Sequence, residues 1–328
     1  MKKVIFLLAT TIICLGLNGF ISNAEEDNVP SLAESVLQKE KQRSNLPSFD
    51  MSSQLISTEK KILTYFNNIT DVNSINYIDI LEKISTSNEL LLDKTEEEQA
   101  EFAEFAMIYY ARISPFIYPN MNADELDHVK NLRDELLSKT YLDIKNENIQ
   151  SILSSDVSNQ PRPRGLSGGT FNIKTATNYA KKHAFNNNTN YRYFNAGDCT
   201  NFASQIVKAA GKQMSYYKNN SGTFWYYTNG TAYGDAWPLA HKFATYWSAD
   251  YNVTYSCNTK AQVNSKAIEG DFIAYMSKGT YQINHISYVS SKKNGVAHVT
   301  QHSVPRSDYS FNTSDTSAYA SFVVLRIR

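Results

Sequence analysis

The sequence predicts an α+β protein, with a helical N-terminal half followed by a half in which a cysteine-bearing helix packs on an antiparallel sheet. Three observations predict it. Apolar residues recur at helical spacing between Ile56 and Leu153. The stretch Asp198–Ala210 is amphipathic with a period near 3.6. Four runs near the C-terminus, "DFIAYM", "INHISYVSS", "VAHVTQHS" and "YASFVVLRIR", are rich in β-branched and aromatic residues.

The chain opens "MKKVIFLLATTIICLGLNGFISNAEED". Two lysines, an apolar run from Val4 to Phe20 and the small residues Ser22-Asn23-Ala24 have the layout of a secretory signal peptide over residues 1–24. The apolar run is short for a membrane span, and the bulky Ile13 argues against lipidation at Cys14. The expected location is therefore secreted, extracellular or wall-associated. Without the leader about 300 residues remain, enough for two domains.

Residues 25 to about 55 are polar and read as loosely ordered. Beyond them, "KTEEEQAEFAEFAMIYYARI" carries a capping-box signature, Thr95 with Glu98 three residues on. Phe102, Phe105, Ala106 and Tyr109 follow it as one apolar stripe. Pro115 and Pro119 interrupt, and a further helix starts from Asn122. Residues 25–153 thus form a helical region with no cluster that suggests chemistry. Residues 154–169, "SSDVSNQPRPRGLSGG", form a Ser/Pro/Gly-rich linker, which leaves 170–328 as the second domain.

Charge divides at the same boundary. Residues 25–160 hold 25 Asp and Glu against 12 Lys and Arg, and residues 161–328 hold 7 against 18. The opposite signs predict either docking of the acidic helical region on the basic half or attraction of the basic half to an anionic wall polymer. Nothing in the pattern points to nucleic acid.

The stretch "NAGDCTNFASQ" carries the chemistry. Asp198 is a good N-cap. Phe202, Ala203, Ile206, Val207 and Ala210 form the buried face, and Gly211 is placed to stop the helix. Cys199 then occupies the first turn, where the helix dipole and free N–H groups favour a thiolate. The remaining mature cysteine, Cys257, has no partner motif. A Cys199–Cys257 disulfide is the plain alternative in a secreted chain, and it would silence the thiol.

A general base is sought on the sheet. Asn294-Gly295 predicts a tight hairpin between the second and third strands. A two- or four-residue loop puts His302 on the face of His285, within about 5–8 Å. A three-residue loop reverses the parity and favours Gln301 instead, while His298 lies too near the turn. His183 and His241 fall on helices and read as structural. "HVTQH", His298 to His302, reads as strand and lacks the Glu of a zinc helix, so neither a metal nor a cofactor is expected. Trp225 and Trp237 either line a substrate groove or belong to the core.

"GDCTNFASQIVKAAGKQM", "GDFIAY", "NHISYV" and "TQHS" together resemble the bacterial putative amidase domain, a relative of the NlpC-type and CHAP cysteine peptidases of the cell wall. The resemblance runs from about Phe171 to Arg328. It implies a papain-like α+β fold with Cys199 as nucleophile, His285 as base and a polar residue of the next strand, His302, as third member. Asp198, Tyr193 and Asn195 are candidates around the oxyanion, and the Cys199 backbone N–H is the safer donor. The implied activity is amide hydrolysis through an acyl-thioester, with peptidoglycan peptides or another peptide as substrate. The alternatives are a non-catalytic wall-binding module on the same fold and a secreted peptidase acting on non-wall protein.

Overall fold

The computed structural model describes residues 32–42, 47–67, 69, 71–118, 120–155, 168–194, 197–216, 223–230, 232–249 and 253–328. The leader, most of the linker and Asn195 lie outside them. Among the described residues no helix is long and apolar enough to cross a membrane.

The N-terminal half is helical: α1 (Leu32–Gln42), α2 (Leu55–Tyr65), α3 (Ile75–Thr86), α4 (Glu96–Arg112), α5 (Ala123–Leu137) and α6 (Tyr141–Ser155). The capping box is present at the start of α4, where Thr95 Oγ1 accepts from Glu98 N and the Glu98 carboxylate accepts from Thr95 N. Asn122 and Glu125 do the same for α5. Phe102, Phe105, Ile108 and Tyr109 of α4 close a core with Leu55, Ile62, Tyr77 and Leu81. The expectation of loose order before residue 55 fails for α1. Leu32, Ala33 and Val36 insert into the core of the C-terminal half, because their spacing leaves one apolar edge on an otherwise polar segment.

The C-terminal half begins with α7 (Ile173–His183) and α8 (Asp198–Ala209). A small ribbon of β1 (Tyr227–Asn229) and β2 (Ala232–Tyr233) precedes α9 (Ala240–Ala249). Then come β3 (Val253–Cys257), α10 (Lys260–Lys266), β4 (Phe272–Met276), β5 (Ile283–Lys293), β6 (Val296–Gln301), β7 (Arg306–Ser310) and β8 (Ser321–Arg326). The main sheet is antiparallel with strand order β3-β8-β4-β5-β6-β7. Alternation assigns Phe272 and Ala274 to the core shared with α8 and α9, while Ile273 and Tyr275 join a second core with Val289, Val299, Phe322 and Met107 of α4.

The two halves meet through buried polar contacts. The Glu104 carboxylate of α4 accepts from Ser277 Oγ (2.6 Å), Gly279 N (3.1 Å), Thr280 N (2.9 Å) and Thr280 Oγ1 in the β4–β5 turn. Arg112 donates from Nε to Gln282 Oε1 (3.1 Å) and from Nη2 to Asn148 Oδ1 (2.8 Å), and Asn148 Nδ2 donates to Thr280 O (2.9 Å). Each hydrogen bond here satisfies a group that would be costly to bury unpaired.

Candidate active site

Cys199 is held where α8 runs against β5. Gly197, not Asp198, is the N-cap; it takes φ +109°, and a Cβ there would lie 3.0 Å from Ser114 Oγ of the helical half. Asp198 is instead the first helical residue and Cys199 the second. The motif around them is mostly internal bracing. Asn201 Nδ2 donates to Asp198 Oδ1 (2.7 Å), Asn201 Oδ1 accepts from Trp237 Nε1 (2.7 Å), and Ser204 Oγ accepts from Trp225 Nε1 (3.0 Å). Trp225 and Trp237 are therefore buried core that orients α8, not a substrate groove.

The Cys199 thiol is 2% exposed. It lies 3.6 Å from Thr200 Oγ1 and 3.9 Å from Asn284 O, and it also meets the Ile286 N–H and the Ser303 hydroxyl. It therefore rests against the β5 backbone on either side of His285, and no hydrogen bond joins it to the imidazole. Burial pushes its pKa up to about 11, and the Ile286 and Thr200 bonds offset only part of this. The expected stabilisation of a thiolate is reversed in this closed state, because desolvation outweighs the helix terminus. Cys199 and Cys257 are both buried, and no disulfide joins the two.

His285 stands on β5 with its ring edge-on to Tyr275, centroids 4.8 Å apart. Burial lowers its pKa, while the hydrogen bond that the ring donates to the Gln301 side chain and the Glu82 charge favour its protonated form. Gln301 Nε2 donates to Val304 O (3.1 Å), which leaves its Oε1 to face the ring.

His302 is not the partner of His285. The hairpin loop is the two-residue Asn294-Gly295 turn, with Lys293 opposite Val296, but the register slips at Ser290 so that Val289 faces Val299. This β-bulge reverses the parity beyond it and carries Gln301, not His302, onto the His285 face. His302 instead lies 2.5 Å from Asp198 Oδ2 through Nδ1 and 2.7 Å from His183 O through Nε2, and it stacks on Phe202 at 3.8 Å. Both ring nitrogens thus face oxygen atoms, one of a carboxylate and one of a backbone carbonyl. Burial raises the Asp198 pKa, and His302 works against that shift.

Tyr193 sits edge-on to His302 with centroids 6.2 Å apart, and burial raises its pKa to about 12. It belongs with the Asp198–His302 pair. His298 Nδ1 pairs with Val296 O near the turn, and His241 is buried with its pKa lowered to about 3 by desolvation.

A cavity of about 280 Å³ opens in front of His285, between the two halves. Asn284, His285, Gln301, Ser303 and Tyr319 line one side and Glu82, Thr86 and Tyr110 of the helical half the other. The Tyr110 hydroxyl bridges Glu82 Oε1 (2.9 Å) and Ser303 Oγ (3.1 Å). Burial raises the Glu82 pKa, and the Tyr110 bond and the His285 charge oppose this. Glu82 and Tyr110 were not singled out from the sequence, since neither stands in a motif and only the packing of α3 and α4 on the sheet brings them here. Asn284 and Ser303 fall in the "NHISYV" and "TQHS" stretches, whose pattern by itself gives them no role.

Two curated relatives are similar to parts of the chain. The uncharacterized protein YjcM of Bacillus subtilis (strain 168) is 28% identical over 188 residues, 53% of this chain and 43% of its own. The uncharacterized protein YhbB of the same strain is 31% identical over 120 residues, 37% of each chain. The chain thus spans about two-fifths of the length of these relatives. No solved structure matches it significantly. Residues 170–325, the segment that holds Cys199, His285 and Gln301, match the family model of the putative amidase domain, which suggests an amide hydrolase.

Proposed function

We propose that the chain is a secreted cysteine amidase or peptidase that hydrolyses amide bonds, with peptidoglycan peptides as the leading substrate class. The observation that carries the reading is the position of Cys199 in the first turn of α8 against β5, beside a histidine oriented by Gln301. The amidase-domain match over 170–325 supports the reaction class.

In this reading the His285 imidazole takes the thiol proton as Sγ attacks the scissile carbonyl. The developing oxyanion faces the Cys199 backbone N–H, one of the donors that a helix start leaves unpaired. His285 then returns the proton to the leaving amine, and water, deprotonated by the same ring, cleaves the thioester and releases the acid. Gln301 takes the orienting role of the third triad member. The buried, neutral thiol describes a resting state, and substrate enters through the cavity beside His285. The basic C-terminal half supports binding to an anionic wall.

The test is to incubate the full chain and its Cys199→Ala variant with Gram-positive sacculi and to read the soluble fragments by mass spectrometry. Cys199-dependent release supports the reading, and the fragment masses name the bond. Binding without release from either form gives the lead to a non-catalytic wall-binding module. Neither binding nor release would move the search to non-wall peptides.

A further inference from the structure

We infer that Asn284 and Tyr319 form a subsite for a neutral peptide group of the substrate, next to the scissile bond. The inference rests on the reading of Cys199 as nucleophile. Asn284 is the extra residue of a second β-bulge: Tyr275 pairs with His285 and Met276 with Ile283, so Asn284 has no opposite partner on β4. The bulge breaks the alternation of β5 and lets Asn284 and His285 line the same cavity.

Asn284 is 2% exposed, yet neither its Oδ1 nor its Nδ2 has a hydrogen-bond partner. The Asn284 amide faces the Tyr319 hydroxyl and favours its ionised form, but the two stand outside good hydrogen-bond geometry, and neither group has another partner. Buried polar groups are almost always paired, and a folded site leaves them open where a ligand is to pair with them. Around them, Ser303 is engaged by Tyr110, and the Gln301 amide is used by His285 and Val304.

The chemistry of the open groups selects the ligand. A carboxamide offers one acceptor and one donor side by side, and a peptide group is complementary to both. A carboxylate could take the amide and hydroxyl donors, but it would leave Asn284 Oδ1 unpaired and would meet Glu82 across the cavity. The subsite adjoins the nucleophile, because Asn284 O lies 3.9 Å from Cys199 Sγ. A peptide group held there places the neighbouring carbonyl beside the thiol.

The test compares two alkylating probes with one warhead: acetyl-Ala-Ala chloromethyl ketone, which carries peptide groups, and chloroacetone, which does not. In both, Sγ bonds to the methylene carbon, chloride leaves and the thiol proton passes to solvent. Mass spectrometry of the full chain gives the rate at Cys199. The ratio of the peptide rate to the plain rate should fall about tenfold in Asn284→Leu and in Tyr319→Phe. Asn284→Leu should melt no lower than wild type, since it removes two unpaired groups; a purely structural asparagine would show the reverse. A ratio unchanged in both variants overturns the subsite and leaves Cys199 as nucleophile.

If chloroacetone does not label Cys199, the proposed chemistry fails instead. The subsite is then read from Cys199→Ala protein heated with acetyl-Ala-Ala methylamide. A rise in Tm that is lost on adding Asn284→Leu upholds it, and no rise overturns it.

Discussion

His302 Nδ1 lies 2.5 Å from Asp198 Oδ2, so the imidazole next in sequence to Gln301 braces the helix that carries Cys199. Asp198 Oδ1 also accepts from Phe194 N (2.9 Å), and His302 reaches back to His183 O. One buried pair thereby ties the start of α8 to the end of β6 and the end of α7. Truncating one partner leaves the other's buried polar atoms unpaired, which costs about 1–3 kcal/mol. His302→Ala should lose stability of that order in urea unfolding. A loss below about 1 kcal/mol would mean that the pair does not brace the helix.

Gln301→Ala should act on His285 instead. Its side chain favours the charged ring, so removing it should move the His285 titration further down, as read by NMR. A histidine with a lowered folded pKa loses stability as pH falls below its unfolded value of 6.5. The acid-side loss should deepen in Gln301→Ala and shrink in His285→Asn. Turnover of any Cys199-dependent substrate should fall by about 10²-fold in Gln301→Ala. An unmoved His285 titration would remove Gln301 from the site.

Thiol chemistry should report the closed state. Burial holds Cys199 protonated up to about pH 11, so its alkylation by iodoacetamide should be slow at neutral pH and climb toward that value. The Glu82 carboxylate adds to the upward shift. Glu82→Gln should therefore lower the inflection and speed labelling at pH 8. Fast labelling of the wild type with an inflection below pH 9 would contradict the buried thiol.

Glu104 measures how firmly the halves are joined. Its carboxylate satisfies Ser277 Oγ, two backbone N–H groups and Thr280 Oγ1, all in one turn. Glu104→Ala leaves those donors unpaired in a buried interface, at about 1–3 kcal/mol for each that water cannot reach. Unfolding should separate into two transitions, followed by near-UV circular dichroism. A single transition at the wild-type midpoint would show that the contact is dispensable.

Much of this architecture was legible in local pattern. Thr95 with Glu98 and Asn122 with Glu125 cap helices through contacts three residues apart, and Gly211 at φ +109° ends α8 as its neighbours require. The Asn294-Gly295 turn and the placement of Cys199 in the first turn of α8 were equally local. The third site residue was not. One unpaired residue at Ser290 flips every side chain beyond it to the other face, and no composition rule marks where a bulge falls.

The sequence by itself determined the main helices of both halves, the tight hairpin turn and which cysteine heads a helix, because those depend on period, caps and turns within a few residues. Only the tertiary structure decided the state and surroundings of that cysteine. Folding the helical half over the sheet brings Glu82 and Tyr110 to the site, although some 90 to 220 residues separate them from Cys199 and Ser303. The thiol is buried in the folded chain, and desolvation then reverses the pKa shift that the helix terminus alone would produce.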